Sequence, residues 1–241
     1  MPLTSEQITL FRHNGFLKLP RRLPDATVTL LKTTIHEHIR DERAPVARDG
    51  QGRVVRISDL WGRGTPFREV LTGSEVMEPL ESLLGPNIEM VLNRHNHATL
   101  RVAGDGTDYA HRDILQWSRS LVTVLFYLEE TTLENGCTFV IPGSHLLPSG
   151  SSSSSSLRLA EDETVRRMDV LDQAVPVPMP AGSMLALDSF VMHAAGTNKT
   201  TGTRMSMTAG YHSVDELSRV ENPSRVLVRG TRIYLGNDAA R

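Results

Sequence analysis

From Ile88 onward the apolar residues come in short runs separated by turn-forming residues, and this spacing limits the fold more than anything else in the chain. Residues 121–128 form a strongly apolar strand, and residues 138–141 form another, closed by Pro142-Gly143. Residues 184–187, 205–212 and 226–233 read as further strands. Residues 88–102 read as one long strand or as a hairpin, and residues 174–180 as a Pro-interrupted extended segment before the turn Ala181-Gly182-Ser183. Short strands at close intervals build sheets that pack face to face or close on themselves. Helical patterns come earlier. Thr4 is placed to cap a first helix, with Gln7 completing a capping box and Gly15 ending it. Residues 16–19 then read as a short strand. Pro24-Asp25 opens a second helix reaching about Arg43, with Val28, Leu31, Ile35 and Ile39 as its apolar stripe. His36 and His38 lie two apart on it, so they face different sides, and both are expected in solvent. Residues 74–84 form a third helix, stopped by Gly85-Pro86. Helices first and strands after argue for an α+β chain with a mainly β core, a double-sheet jelly roll or barrel. One domain over 1–241 is expected, with a helical part at about 1–87 and the β core at about 88–235.

Several function classes drop out on composition. A net charge of −2 gives no basic surface for nucleic acid. Cys137 is the single cysteine, so no intrachain disulfide can form, which suits a reducing cytoplasm. The start, Met1-Pro2-Leu3-Thr4, lacks a basic-then-apolar signal pattern, and no apolar run approaches the ~20 residues that span a bilayer. A soluble, cytoplasmic protein without a membrane partner is expected; oligomeric state is not set by these features. Residues 149–156 are a Ser/Gly tract too polar to bury, expected as a surface loop. Residues 43–64 are polar and Gly-rich with a possible strand at 54–57, and Trp61 and Phe67 serve equally well as a lid or as core.

The chemistry centres on His111-Arg112-Asp113. On a strand, residues two apart point to the same face, so one imidazole and one carboxylate converge. His193, after an apolar run, can add a second imidazole and complete a 2-His-1-carboxylate facial triad, the arrangement that holds non-haem Fe(II) with positions left open. Arg204 follows eleven residues later and can bind a carboxylate bidentately. The pair His95/His97 is the rival metal site. If residues 88–102 are a strand, either His95 and His97 or Asn96, Ala98 and Leu100 point inward; two histidines without a nearby carboxylate make the poorer Fe(II) site. His145 and His212 stand alone in sequence and read as structural. A Ser/His/Asp hydrolase is disfavoured because no Gly-x-Ser-x-Gly elbow is present, and the glycine-rich phosphate loops are missing too.

His111-Arg112-Asp113, the block Glu134-Asn135-Gly136-Cys137-Thr138-Phe139-Val140-Ile141-Pro142-Gly143-Ser144-His145, and then His193 and Arg204 together resemble the phytanoyl-CoA dioxygenase family of Fe(II)- and 2-oxoglutarate-dependent oxygenases. Ser5-Glu6-Gln7, Phe11 and Gly15-Phe16 resemble the usual start of that family. The likeness runs from about Thr4 to His212, strongest between His111 and His145 and weak between Gly50 and Met90.

The resemblance implies a double-stranded β-helix, a cupin-like jelly roll, with the N-terminal helices packed outside. It implies Fe(II) held by His111, Asp113 and His193, and 2-oxoglutarate and O2 as co-substrates. Arg204 would pair with the distal carboxylate of 2-oxoglutarate, with Ser206 beside it. Thr123 falls where some members place a Ser that touches the co-substrate, Trp117 matches a Trp near the active site, and Asn96 falls near an amide residue facing the same pocket. The expected activity is hydroxylation, or another oxidation, of an unactivated C–H bond in a small metabolite, with release of succinate and CO2; natural-product biosynthesis is the expected setting. Two other readings stand beside it: a cupin-like metal isomerase or 2-oxoglutarate-independent dioxygenase, and a jelly-roll binding protein without catalysis.

Overall fold

The computed structural model describes residues 1–106, 110–114, 121–147, 171–214 and 222–232. Helix α1 (Ser5–Asn14) starts on the expected capping box: Gln7 N–H donates to the Thr4 hydroxyl at 3.3 Å, and Thr4 N–H donates to the Gln7 side chain at 2.9 Å. Gly15 ends it with φ 79, a left-handed backbone that disfavours any side chain. A Cβ there would also lie 2.5 Å from the His145 ring, so glycine is required twice over.

Strand β1 (Phe16–Lys18) follows, and then α2 (Asp25–Arg40). Its buried face is Val28, Leu31, Ile35 and His38. The helical repeat carries the apolar stripe onto His38, which is 5% exposed rather than solvated as expected. Its ring lies between two guanidinium groups, 3.2 Å from Arg63 and 3.3 Å from Arg43. His36 is exposed. Strands β2 (Val46–Arg48) and β3 (Val54–Ser58) form a ribbon. Helix α3 (Thr65–Leu71) has no counterpart in the sequence reading; it buries Phe67, Val70 and Leu71, which places Phe67 in the core. Trp61 is half-buried against the same cluster, under the Arg68 guanidinium. Helix α4 (Ser74–Leu84) ends at Gly85 as its sequence requires.

The remaining strands are β4 (Ile88–Val91), β5 (His97–Arg101), β6 (Leu121–Tyr127), β7 (Thr138–Val140), β8 (Val175–Val177), β9 (Met184–Asp188), β10 (His193–Ala195), β11 (Arg204–Ser213) and β12 (Arg225–Arg229). The larger sheet has the order β1-β9-β6-β11-β5-β3-β2, with β4 also paired to β11 and β12 to β4. The smaller sheet has the order β10-β7-β8. Two antiparallel sheets of this kind make the jelly roll, and three strands from before residue 60 extend its larger sheet at both edges.

The larger sheet is covered on both faces, which explains the near-continuous apolar run of β6. Its outer face carries Val122, Val124, Phe126, Met184, Ala186, Met205, Met207 and Ala209, all buried in one cluster with Leu31, Ile35, Phe67 and Leu80 of the helices. Full burial of one such aliphatic side chain contributes about 1.5–3 kcal/mol. The inner face is polar in its middle and faces the smaller sheet. Among the described residues no helix is long and apolar enough to cross a membrane.

Candidate metal centre

Strand alternation fixes what the inner face presents. Antiparallel register aligns Arg56, Thr99, Ser206 and Tyr127 in one row across β3, β5, β11 and β6. The next row is Ser58, His97, Thr208 and Leu125. Arg101 stands opposite Arg204 at one end, and Thr123 opposite Gly210 at the other. These rows wall a cavity of about 290 Å³.

The smaller sheet closes the cavity and brings His193, to which the segment carrying His111 and Asp113 is bridged. His193 opens β10 in register with Val140 of β7. His111 is not in a strand proper but forms a two-bond bridge with His193, through N–H to carbonyl contacts of 2.8 and 2.9 Å in the two directions. Asp113 is held by its own N–H on the Ser189 carbonyl at 3.0 Å. His111, Asp113 and His193 thus converge: their ligand atoms all lie within 4.8 Å of one another. Asp113 Oδ1 is 3.6 Å from His193 Nε2 and 3.9 Å from His111 Nε2. Those separations fit two metal–ligand bonds of ~2.0–2.2 Å meeting at one ion.

The supporting contacts fit a metal as well. His193 Nδ1 is 3.1 Å from the Val191 carbonyl. A carbonyl only accepts, so Nδ1 carries the proton and Nε2 turns its lone pair inward. Thr123 donates to Asp113 Oδ2 at 2.6 Å and lies 2.9 Å from the Ser189 hydroxyl, which leaves Oδ1 facing the imidazoles. Burial pushes the Asp113 carboxyl up, but the imidazoles of His193 and His95 and the Thr123 hydroxyl outweigh it and hold the group below the ordinary range. Burial, and then His193, lowers His111 to about 4, so its ring is neutral at neutral pH, the form that ligates a metal.

Behind the ligands, Arg112 points away from the cavity and is 1% exposed. It donates to the carbonyls of Ser144 and Leu147 at 3.0 and 3.1 Å. The Ser144 hydroxyl in turn donates to the Ile141 carbonyl at 2.6 Å and accepts from Met192 N–H at 2.8 Å. Pro142-Gly143-Ser144-His145 is therefore a clamp that ties the 111–113 segment to the 192–193 segment, while His145 reaches the Arg12 carbonyl of α1 at 3.0 Å.

Other residues singled out from sequence fall as follows. Arg204 is buried on β11 and lines the cavity, with Ser206 two positions along. Burial, and then Arg101, pushes its guanidinium down to about 10, which still leaves it a cation at neutral pH. Thr123 lines the cavity, yet its hydroxyl is committed to Asp113. Asn96 does not reach this cavity. Its amide accepts from Trp61 N–H at 3.1 Å and donates to the Leu92 carbonyl at 3.2 Å and to Asp59 at 3.3 Å, and it lines an adjoining pocket with His95, His97 and Asp113. Trp117 and the Ser/Gly tract lie outside the described residues.

Residues 88–102 are neither one strand nor a hairpin. β4 pairs with residues 210–213 of β11, and β5 pairs with residues 204–208 of the same strand. Residues 92–96 loop out between them, opposite Ala209. Within that excursion His95 adopts φ 47 and puts Nε2 3.4 Å from Asp113 Oδ1, nearer than either proposed histidine ligand. His97 also lines the cavity, and Ala98 packs outward among the helices. The inner-face assignment of His97 was one of two readings open in the sequence. Arg56 and Tyr127 were not recognised there; their place on the wall follows from register alone.

The matches to known proteins agree with this geometry. The phytanoyl-CoA dioxygenase (PhyH) family model matches residues 11–206. The methylphosphonate hydroxylase of Gimesia maris is 24% identical over 231 residues, covering 89% of this chain and 82% of its own length. Human peroxisomal phytanoyl-CoA dioxygenase is 23% identical over 241 residues, covering 88% and 69%. Among solved structures, the epimerase SnoN in complex with Fe3+, alpha ketoglutarate and nogalamycin RO superposes with a TM-score of 0.74 at 20% identity, over 98% of this chain and 92% of that one. The chain belongs to the phytanoyl-CoA dioxygenase family of Fe(II)- and 2-oxoglutarate-dependent oxygenases.

Proposed function

We propose that the chain hydroxylates an unactivated C–H bond of a small metabolite in natural-product biosynthesis, with His111, Asp113 and His193 holding Fe(II) and Arg204 holding the far carboxylate of 2-oxoglutarate. The observation that carries this reading is the convergence of the three ligand atoms within 4.8 Å at a cavity whose wall also supplies a buried arginine. When bound, Fe(II) and 2-oxoglutarate supply from O2 the oxidising power for C–H cleavage, with succinate and CO2 as co-products. The residues of the chain do the rest. Val191 and Thr123 fix the donor atoms of His193 and Asp113 before the metal arrives, so little ordering remains to be done on binding. Arg204 offers a permanent cation in a planar fork, suited to a carboxylate in a dry wall, and Ser206 adds a hydroxyl two residues along the strand. A carboxylate at position 113 fills the place that a halide would need, which favours hydroxylation over halogenation. The described cavity is small, in keeping with a small substrate, and the likeness to an epimerase solved with nogalamycin RO supports a natural-product setting.

The test is an anaerobic titration of metal-free protein with Fe(II) and 2-oxoglutarate. A weak visible charge-transfer band is expected only with both present, and it is expected to vanish in His111→Ala. A folded protein without the band would overturn the assignment and bring forward the metal-isomerase or binding-protein reading.

A further inference from the structure

The cation balance of the cavity points to the substrate. Among its described lining residues, the fixed charges are Arg56, Arg101, Arg204 and Asp113. Three guanidinium groups thus face one carboxylate. Arg101 and Arg204 are direct cross-strand partners on β5 and β11, and like charges directly opposite one another repel. None of the three guanidinium groups has a hydrogen bond or ion pair among the described residues. Asp105 acts on Arg101 electrostatically, but its Oδ2 accepts from Val102 N–H at 3.1 Å instead of pairing with the guanidinium. Arg94 lines an adjoining pocket, together with Asp59, and is already engaged by the Asp113 carbonyl at 3.2 Å. The excess charge of the lining residues therefore sits on the wall beside Arg204, with Asp105 acting on Arg101 from outside the lining.

Loading the centre does not remove it. Fe(II) brings two positive charges and 2-oxoglutarate two negative ones, so they cancel. Whichever arginines the co-substrate engages, the wall keeps an excess of two positive charges. A neutral substrate filling the cavity would strip water from these guanidinium groups and pair none of them, which is costly. An oxyanion would pair them bidentately. We propose that the substrate is a small anion whose carboxylate or phosphate-type group is held on the sheet wall by Arg56, at the exposed end, and Arg101, further in. This rests on the oxygenase reading above and adds the chemical class of its substrate.

The experiment titrates the anaerobic Fe(II)–2-oxoglutarate protein with inorganic phosphate and, separately, with acetate, by calorimetry with the charge-transfer band watched in parallel. Saturable binding with the band retained is expected. Arg56→Gln and Arg101→Gln should each weaken it by about tenfold or more. Arg56→Lys should recover much of the loss, and Lys199→Gln, on the exposed surface, should change nothing. The tighter of the two anions identifies the group as phosphate-type or carboxylate. Failure of both anions to bind, equal binding in the parent and the glutamine variants, or loss of the band through displacement of 2-oxoglutarate would each overturn the proposal. If the band never forms in the parent, the oxygenase reading fails by itself. The same titrations on the metal-free protein then decide the anion site: loss of binding in the two glutamine variants upholds it, and unchanged or absent binding removes it.

Discussion

Thr123 donates its hydroxyl to Asp113 Oδ2 at 2.6 Å, across the gap between the larger sheet and the segment that carries two of the proposed ligands. That bond decides which carboxylate oxygen faces the imidazoles. Thr123→Val keeps shape and removes the hydroxyl. It is expected to cost about 10–100-fold in metal affinity, read by chelator competition on the metal-free protein. Thr123→Ser should stay close to the parent. Parent-like affinity in the valine variant would show that backbone contacts alone orient Asp113.

Ser144 sits under the centre without touching it. Its hydroxyl accepts from Met192 N–H and donates to the Ile141 carbonyl, and its carbonyl accepts from Arg112. Ser144→Ala leaves a buried N–H without its acceptor. A loss of about 1–3 kcal/mol in urea unfolding is expected, together with weaker metal binding because the 111–113 and 192–193 segments lose their shared anchor. Unchanged stability would refute the clamp.

The opposed arginines predict opposite effects on stability and function. In metal-free protein without 2-oxoglutarate, Arg101→Gln relieves a cross-strand repulsion and should raise the unfolding midpoint, by about 0.2–1 kcal/mol in stability. Arg204→Ala should raise the KM for 2-oxoglutarate by about two orders of magnitude, with a smaller effect on kcat. Little change in that KM would favour chemistry that does not use 2-oxoglutarate.

His97 gives a pH dependence. Burial, then His95 and Arg56, lowers its folded value to about 4, against an ordinary value of 6.5. Between these two the unfolded chain binds a proton that the folded protein does not, so stability falls as the pH drops from 6.5 toward 4 and is fully present above 6.5. Denaturation midpoints of metal-free protein, measured at about pH 7 and about pH 5, should fall less in His97→Gln than in the parent. Equal losses would show that His97 does not contribute.

Where local chemistry decides, the sequence was informative. The Thr4–Gln7 capping box, Gly15 and Gly85 set helix ends that the structure reproduces. The apolar runs of β6, β9 and β11 marked strands because both faces of the larger sheet are covered. His111 and Asp113 do converge, but on an isolated bridge and a bend and not on the strand that their spacing of two assumed, and His193 follows from its place after an apolar run. What failed depended on partners far away in sequence. Whether Asn96 or His97 faces the cavity turns on where β4 stops, and that is set by pairing with β11, more than a hundred residues later. His38 is the exception: the helical repeat that turns Val28, Leu31 and Ile35 inward already reaches it, and of the two guanidinium groups beside it only Arg63 comes from a distant segment. The Ser144 clamp was visible only as a motif, since its purpose lies in contacts to Arg112 and Met192.

The excursion at residues 92–96 leaves and rejoins the sheet in register, with a single residue of β11 opposite its whole length. Strand pairing therefore does not position it. The segment is instead held by side-chain and loop contacts, Arg94 on the Asp113 carbonyl and Asn96 on Trp61, Asp59 and Leu92, and it carries a side chain that stands 3.4 Å from Asp113. The reactive centre thus receives His95 from outside strand pairing, whereas His193 lies in β10 and the 111–113 segment is tied to it by the His111 bridge and the Ser144 clamp.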